Sequence, residues 1–180
     1  MPRFALSAIG RDRPGIVAGV SGALLEHGAN IEDSRMAILG GHFTIMLIVS
    51  TPADADIGAL IRDLDAARGR LGLGALTLEE VADEHTRTRP EPSHIVTVYG
   101  ADHPGIVHSV ASTLADMGVN VIDVATHLVE DEGEQPIYVM MMEVDLPQNV
   151  APDRLEGDLR GVAERERLDV SVRAVEAEAL

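Results

Sequence analysis

Apolar and polar positions alternate at the start of the chain, with Phe4, Leu6 and Ala8 on one side of an extended segment and Ala5, Ser7 and Ile9 on the other. Period-two alternation predicts a short β-strand with one buried face. The period then changes. Ile16, Val17, Val20 and Leu24 recur at helical spacing, which predicts a helix with that stripe turned inward. Asp12 reads as its N-cap, Pro14 as a first-turn residue and Gly28 as the left-handed residue just past its end. A second strand runs from Ile31 to Leu39, and Gly40-Gly41 is the strong hairpin signal that leads to a third. Phe43, Ile45, Leu47 and Val49 share one face of that third strand. A second helix carries Ile57, Leu60, Ile61 and Leu64, and a last strand runs near residues 76–81.

The whole pattern then recurs. Gly10-Arg11-Asp12-Arg13-Pro14-Gly15-Ile16-Val17 returns as Gly100-Ala101-Asp102-His103-Pro104-Gly105-Ile106-Val107, an offset of 104 − 14 = 90. The same offset relates Val20 to Val110, Leu24 to Leu114, Gly28 to Gly118, Asn30 to Asn120 and Asp33 to Asp123. From Phe43 and Tyr138 onward it is 138 − 43 = 95, so copy two holds five extra residues, placed by their composition in Glu130-Asp131-Glu132-Gly133-Glu134. His94, Val96 and Val98 repeat the first strand, and Tyr138, Met140, Met142 and Val144 the third. Leu155, Leu159 and Val162 repeat the second helix, and a last strand lies near residues 168–175.

Each copy therefore has the order βαββαβ, the ferredoxin-like split-βαβ arrangement. The expected fold is α+β: two such modules in tandem, each a four-stranded antiparallel sheet with two helices on one face. Ile9, Met46, Ile48, Ile95 and Met141 point to the other face, which stays half-covered and wants a neighbour, as two linked copies supply; a homo-oligomer is also expected. Residues 1–82 form the expected first domain and residues 94–180 the second. Residues 83–93 between them are polar and interrupted by Pro90 and Pro92, as a linker is.

Composition narrows the function by exclusion. The formal net charge is −16, distributed as 7 Arg − 12 acids = −5 over residues 1–85 and 7 Arg − 18 acids = −11 over residues 86–180. There is no Lys and no Trp, and aromatics are 2% of the chain, so both the basic stripe and the stacking platform of a nucleic-acid binder are missing. No direct nucleic-acid binding is expected. No apolar run reaches the roughly 18–20 residues that span a bilayer, and the short apolar start fits no signal peptide. With no Cys as well, a cytoplasmic protein without membrane contact is the expectation.

Candidate chemistry centres on the entry to each first helix. A helix N-terminus offers unpaired N–H groups and a positive dipole end to a carboxylate or phosphate. Gly15 and Gly105 let a ligand approach without a Cβ in the way, and the N–H groups of Gly15 and Ile16, or Gly105 and Ile106, are the candidate donors. Pro14 and Pro104 donate nothing. Asp12 or Asp102 can pair with a ligand ammonium group, and Asn30 or Asn120 with either polar end. The same residues also have a purely structural reading, in which Asp caps, Pro starts, Gly packs and Asn turns. Other chemistry finds little support. No two His sit at the i, i+4 spacing of a preorganised metal pair, and the alternate members of Met140-Met141-Met142 fall on core positions, so neither metal nor cofactor is expected. No Gly-x-Ser-x-Gly elbow is present, and a Lys-dependent phosphate loop is impossible.

The pattern Asp-Arg-Pro-Gly-Ile-Val, followed about a helix later by Gly-Ala-Asn-Ile, resembles the ACT domain, a βαββαβ regulatory module that binds amino acids. The paired, free-standing arrangement resembles the glycine cleavage system transcriptional repressor family. It is also similar to the tandem ACT segments fused to some phosphoserine phosphatases. In the family, ligands sit where the loop after the first strand meets the second strand of a neighbouring ACT domain. The resemblance therefore implies a site on Asp12, Pro14, Gly15 and Ile16 with Asn30 and Ile31, and on Asp102, Pro104, Gly105 and Ile106 with Asn120 and Val121. It implies a non-catalytic, amino-acid-binding regulator that acts through a protein partner, with transcriptional control of amino-acid metabolism as the pathway class. A ligand-independent interaction module is the alternative, and an acylphosphatase-like enzyme, by fold analogy alone, the third.

Overall fold

The structure is a computed structural model that describes residues 1–81, 91–129 and 136–175. It divides into two compact units, Met1–Arg87 and Thr88–Leu180. The acidic stretch expected to hold the five extra residues, and most of the expected linker, lie outside the described residues.

Module 1 runs β1 (Arg3–Arg11), α1 (Ile16–Glu26), β2 (Asn30–Leu39), β3 (His42–Ser50), α2 (Ile57–Leu71) and β4 (Leu73–Val81). Module 2 repeats it as β5 (His94–Ala101), α3 (Ile106–Asp116), β6 (Asn120–Val129), β7 (Ile137–Asp145), α4 (Pro152–Glu166) and β8 (Leu168–Ala174). The sheets are four-stranded with orders β2-β3-β1-β4 and β6-β7-β5-β8, and every pair is antiparallel. The outer strands β2 and β6 thus lie at one edge of each sheet.

One face of each sheet carries the core. In module 1 Phe4, Leu6, Phe43, Ile45, Leu47 and Val49 pack against Ile16, Val20 and Leu24 of α1 and Leu60 and Leu64 of α2. Module 2 packs Val96, Val98, Met140, Met142 and Val144 against Ile106, Val110, Leu114, Leu155 and Leu159. Each fully buried large aliphatic side chain contributes roughly 1.5–3 kcal/mol. The opposite faces stay open as expected, with Ile9, Met46 and Met141 about half exposed and Ile48 and Ile95 partly covered.

The α1 stripe is narrower than its spacing suggested. Val17 and Val107 are 48% and 44% exposed, because a residue one step past the buried Ile16 or Ile106 is rotated about 100° round the helix. Ile61 is half exposed for the same reason beside buried Leu60. β4 starts at Leu73, three residues earlier than the apolar alternation indicated.

Turn chemistry explains the element ends. Gly40 and Gly41 take φ 56 and 76°, the two-positive-φ turn that suits the twist of a tight hairpin. α1 ends in a Schellman motif: the Ala29 N–H bonds the Leu24 carbonyl at 3.0 Å and the Gly28 N–H bonds that of Leu25 at 2.9 Å. α3 ends identically, with Val119 on Leu114 and Gly118 on Ala115. The Asp56 side chain caps α2, accepting from the Ala59 N–H at 2.9 Å.

Candidate functional site

The starts of α1 and α3 depart from the expected cap. Asp12 and Asp102 are not N-caps. Gly15 and Gly105 hold that position, at φ 94 and 105°, and neither helix start has a side-chain cap hydrogen bond. The first intrahelical bond of α1 runs from the Gly19 N–H to the Gly15 carbonyl at 2.9 Å, and that of α3 from Ser109 to Gly105. The N–H groups of module 1 without an intrahelical partner are therefore those of Gly15, Ile16, Val17 and Ala18, a set that includes both candidate donors. Asp12 has a different task. Its N–H donates to the Gly41 carbonyl at 3.0 Å, tying the loop after β1 to the β2–β3 hairpin.

Residues 12–18 line an open cleft of about 510 Å³ whose opposite wall is Met36 and Phe43. Strand direction explains the wall. β3 runs antiparallel to β1 and β2 antiparallel to β3, so His42 pairs with both Arg11 and Leu39, and the end of β2 returns to the helix start. Asn30 pairs with Ser50, at the end of the sheet where β1 begins. At about 3.3 Å per residue, Asn30 and Ile31 lie roughly 25–30 Å along β2 from its helix-proximal end. Asn120 and Val121 hold the same distal place on β6. Within one module the structure joins Asp12, Pro14, Gly15 and Ile16, but does not bring Asn30 or Ile31 to them. Met36 and Phe43 take that place, legible only by following the strand directions rather than the order of motifs.

The loop also meets the far end of the second helix. In module 1 the Arg13 guanidinium donates to the Arg70 carbonyl at 2.7 Å, in the last turn of α2. His103 is its counterpart, with Nε2 3.1 Å from the Glu166 carbonyl at the end of α4 and Nδ1 3.2 Å from the Pro104 carbonyl. A cation at a helix C-terminus complements the dipole. Both His103 partners are acceptors, so the imidazolium, which has an N–H on each ring nitrogen, is the form that suits both. The Pro104 and then the Glu166 carbonyl accordingly raise the His103 pKa above its ordinary 6.5, aided by the Glu166 and Asp102 carboxylates and opposed by desolvation. Glu166 is held in turn by the Ser109 hydroxyl, which donates to its Oε1 at 2.9 Å.

A raised folded-state pKa contributes stability that is complete below the unfolded value and is lost as pH rises through the folded one. The His103 ring is therefore expected to titrate by NMR with a midpoint above 6.5. His103→Gln should flatten the stability of the full chain across that interval, whereas Arg13→Gln should not change its pH dependence. A His103 midpoint at or below the ordinary value would contradict the doubly donating ring.

Module 2 has a different wall. Thr126 stands where Met36 does, since Thr126 pairs with Met140 as Met36 pairs with Ile45. Tyr138 stands where Phe43 does, opposite Gly100 as Phe43 is opposite Gly10. Burial pushes the Tyr138 phenol up, the hydrogen bond with Thr126 opposes this, and the Asp102 carboxylate adds to the rise.

A sequence model of the ACT domain matches residues 3–77 and 94–173, the two modules just described. The chain belongs to the ACT domain family. Among relatives that span both ACT domains, phosphoserine phosphatase SerB2 of Mycobacterium tuberculosis is 27% identical over 169 residues, which is 93% of this chain and 39% of that enzyme. The glycine cleavage system transcriptional repressor of Escherichia coli is 28% identical over 137 residues, covering 73% of this chain and 68% of the repressor. The crystal structure of an unknown protein from Galdieria sulphuraria aligns with a TM-score of 0.81 at 28% identity, over 97% of this chain and 99% of that one. Among the described residues of the ACT domains no group of His, Asp or Glu is arranged to hold a metal ion, and no helix is long and apolar enough to cross a membrane.

Proposed function

We propose that the chain is an amino-acid-binding regulatory protein, a tandem ACT sensor that acts in the cytoplasm through a protein partner rather than by catalysis. The observation that carries this reading is the glycine-started helix of module 1. Its N–H groups face outward with no side-chain cap, above a cleft with an apolar wall. That arrangement suits an α-carboxylate at the helix end, with its side chain on the wall. Asp12 is the partner for the ammonium group, and Pro14, Gly15 and Ile16 shape the approach. Asn30, Ile31, Asn120 and Val121, at the distal ends of their strands, join such a site only from a neighbouring module. Asp102, Pro104, Gly105 and Ile106 form the second candidate. The likeness to a transcriptional repressor favours control of gene expression as the output, and ligand binding would change the surface shown to the partner.

A panel of the common L-amino acids in a thermal-shift assay tests the reading. A ligand at 100 times its dissociation constant stabilises the native state by about 2.7 kcal/mol. At least one amino acid is expected to raise the melting temperature by several degrees. A flat response to all of them rejects the sensor.

A second reading has an observation of its own. The edge strands β2 and β6 are exposed along nearly their whole length, with Ile38, Leu39, Leu128 and Val129 about half exposed or more. An apolar open edge favours strand-to-strand pairing with a second polypeptide. A flat panel response together with a self-associating chain would leave that reading standing.

A further inference from the structure

The two helix starts are alike, but the walls they face are not. Gly15-Ile16-Val17 and Gly105-Ile106-Val107 have the same residue types and the same left-handed cap. Opposite them, a thioether and a phenyl in module 1 are replaced by a hydroxyl and a phenol in module 2, which hydrogen-bond each other. Met36 is half exposed, so its side chain is free to cover a ligand, while buried Phe43 forms the floor beneath it. The half-exposed Val17 adds a third apolar group on the helix side.

Ligand side chains meet different costs on these walls. An apolar side chain laid on Met36, Phe43 and Val17 removes apolar surface from water and strands no polar group. Met is also unbranched and adapts to irregular shapes. Laid on Thr126 and Tyr138, the same side chain would shield two hydroxyls from water and offer them nothing. The phenol has a use for a polar ligand, since beside its hydrogen bond with Thr126 the acceptor its O–H meets is the Met140 sulfur, 3.9 Å away and weak. A better acceptor would take that hydrogen bond.

We infer that the module 1 cleft selects an amino acid with an apolar side chain, and that the matching position in module 2 discriminates against the same ligand. The inference rests on the amino-acid-binding reading above and adds the ligand class and the residues that set it. One apolar amino acid then binds per chain, although the motif occurs twice.

Calorimetry on the full chain with two shape-matched pairs, L-leucine with L-asparagine and L-valine with L-threonine, tests it. The better apolar probe is expected to bind with a stoichiometry of one, about tenfold or more tighter than its polar counterpart, the scale of one hydrophobic contact difference. Met36→Thr combined with Phe43→Tyr installs the pair that module 2 already folds with, and should erase that preference. Thr126→Met combined with Tyr138→Phe should raise the stoichiometry toward two. Tighter binding of the polar probe, or a preference unchanged by the module 1 double variant, overturns the ligand class and leaves amino-acid sensing intact. No heat from any probe, with the flat thermal-shift panel, removes the sensor reading itself and this inference with it.

Discussion

Gly15→Val and Gly105→Val are each expected to destabilise their module by about 1–3 kcal/mol, the cost of holding a non-glycine residue in a sparsely populated backbone region. At φ 94 and 105° these glycines sit beyond the left-handed well that L-residues visit, and a β-branched side chain suits it least. Space is no issue, since an added Cβ at either position meets nothing within 4 Å. The loss is backbone strain alone. Gly15→Ala gives the sharper test because its sign depends on the cap. In an ordinary first turn, alanine in place of glycine would stabilise by up to about 1 kcal/mol. At the left-handed position it destabilises. Urea denaturation of the full chain with both variants distinguishes the two, and a Gly15→Ala protein as stable as the parent would refute the glycine N-cap. Valine at these positions is also a poor probe of ligand blocking, because it strains the loop that would hold the ligand.

Met140→Ala and Met142→Ala are each expected to cost about 2–5 kcal/mol, the range for emptying a large buried aliphatic site, and Met141→Ala within about 0.5. Met140 and Met142 are 0% and 1% exposed inside the module 2 core, while Met141 is 48% exposed on the open face. The alternation follows from the pleat of β7, which sends successive side chains to opposite faces. Denaturant midpoints of the three variants check it. Comparable losses for all three would place Met141 in a core too, and a larger loss at Met141 would put the strand in the wrong register.

The modular fold was legible in the sequence because both of its signals are local. Period-two runs at Phe4–Ala8 and Phe43–Val49, a helical stripe at Ile16–Leu24, Gly28 after it and Gly40-Gly41 between strands each reflect chain geometry within a few residues. Their recurrence ninety or ninety-five positions on counted the modules. Charge without a basic stripe also stands in the composition, and needs no coordinates.

Only the tertiary structure decided what surrounds the helix start. Asp12-x-Pro14-Gly15 has the residue types of a side-chain cap and first turn, yet the backbone turns at Gly15 and leaves Asp12 bonded through its N–H to the hairpin. Several turn geometries satisfy the same four residues, and the choice among them comes from the β2–β3 hairpin they pack beside. Asn30 follows α1 in a conspicuous motif, but the antiparallel pairing of β2 with β3 carries it to the far end of the sheet and brings Met36 back instead. Arg13 and His103 reach the ends of α2 and α4 across 57 and 63 residues of chain. Hydrophobic periodicity reports which side of an element faces inward. Which ends of which elements come together is set by sheet order and strand direction, and those arise from long-range pairing that no local pattern encodes.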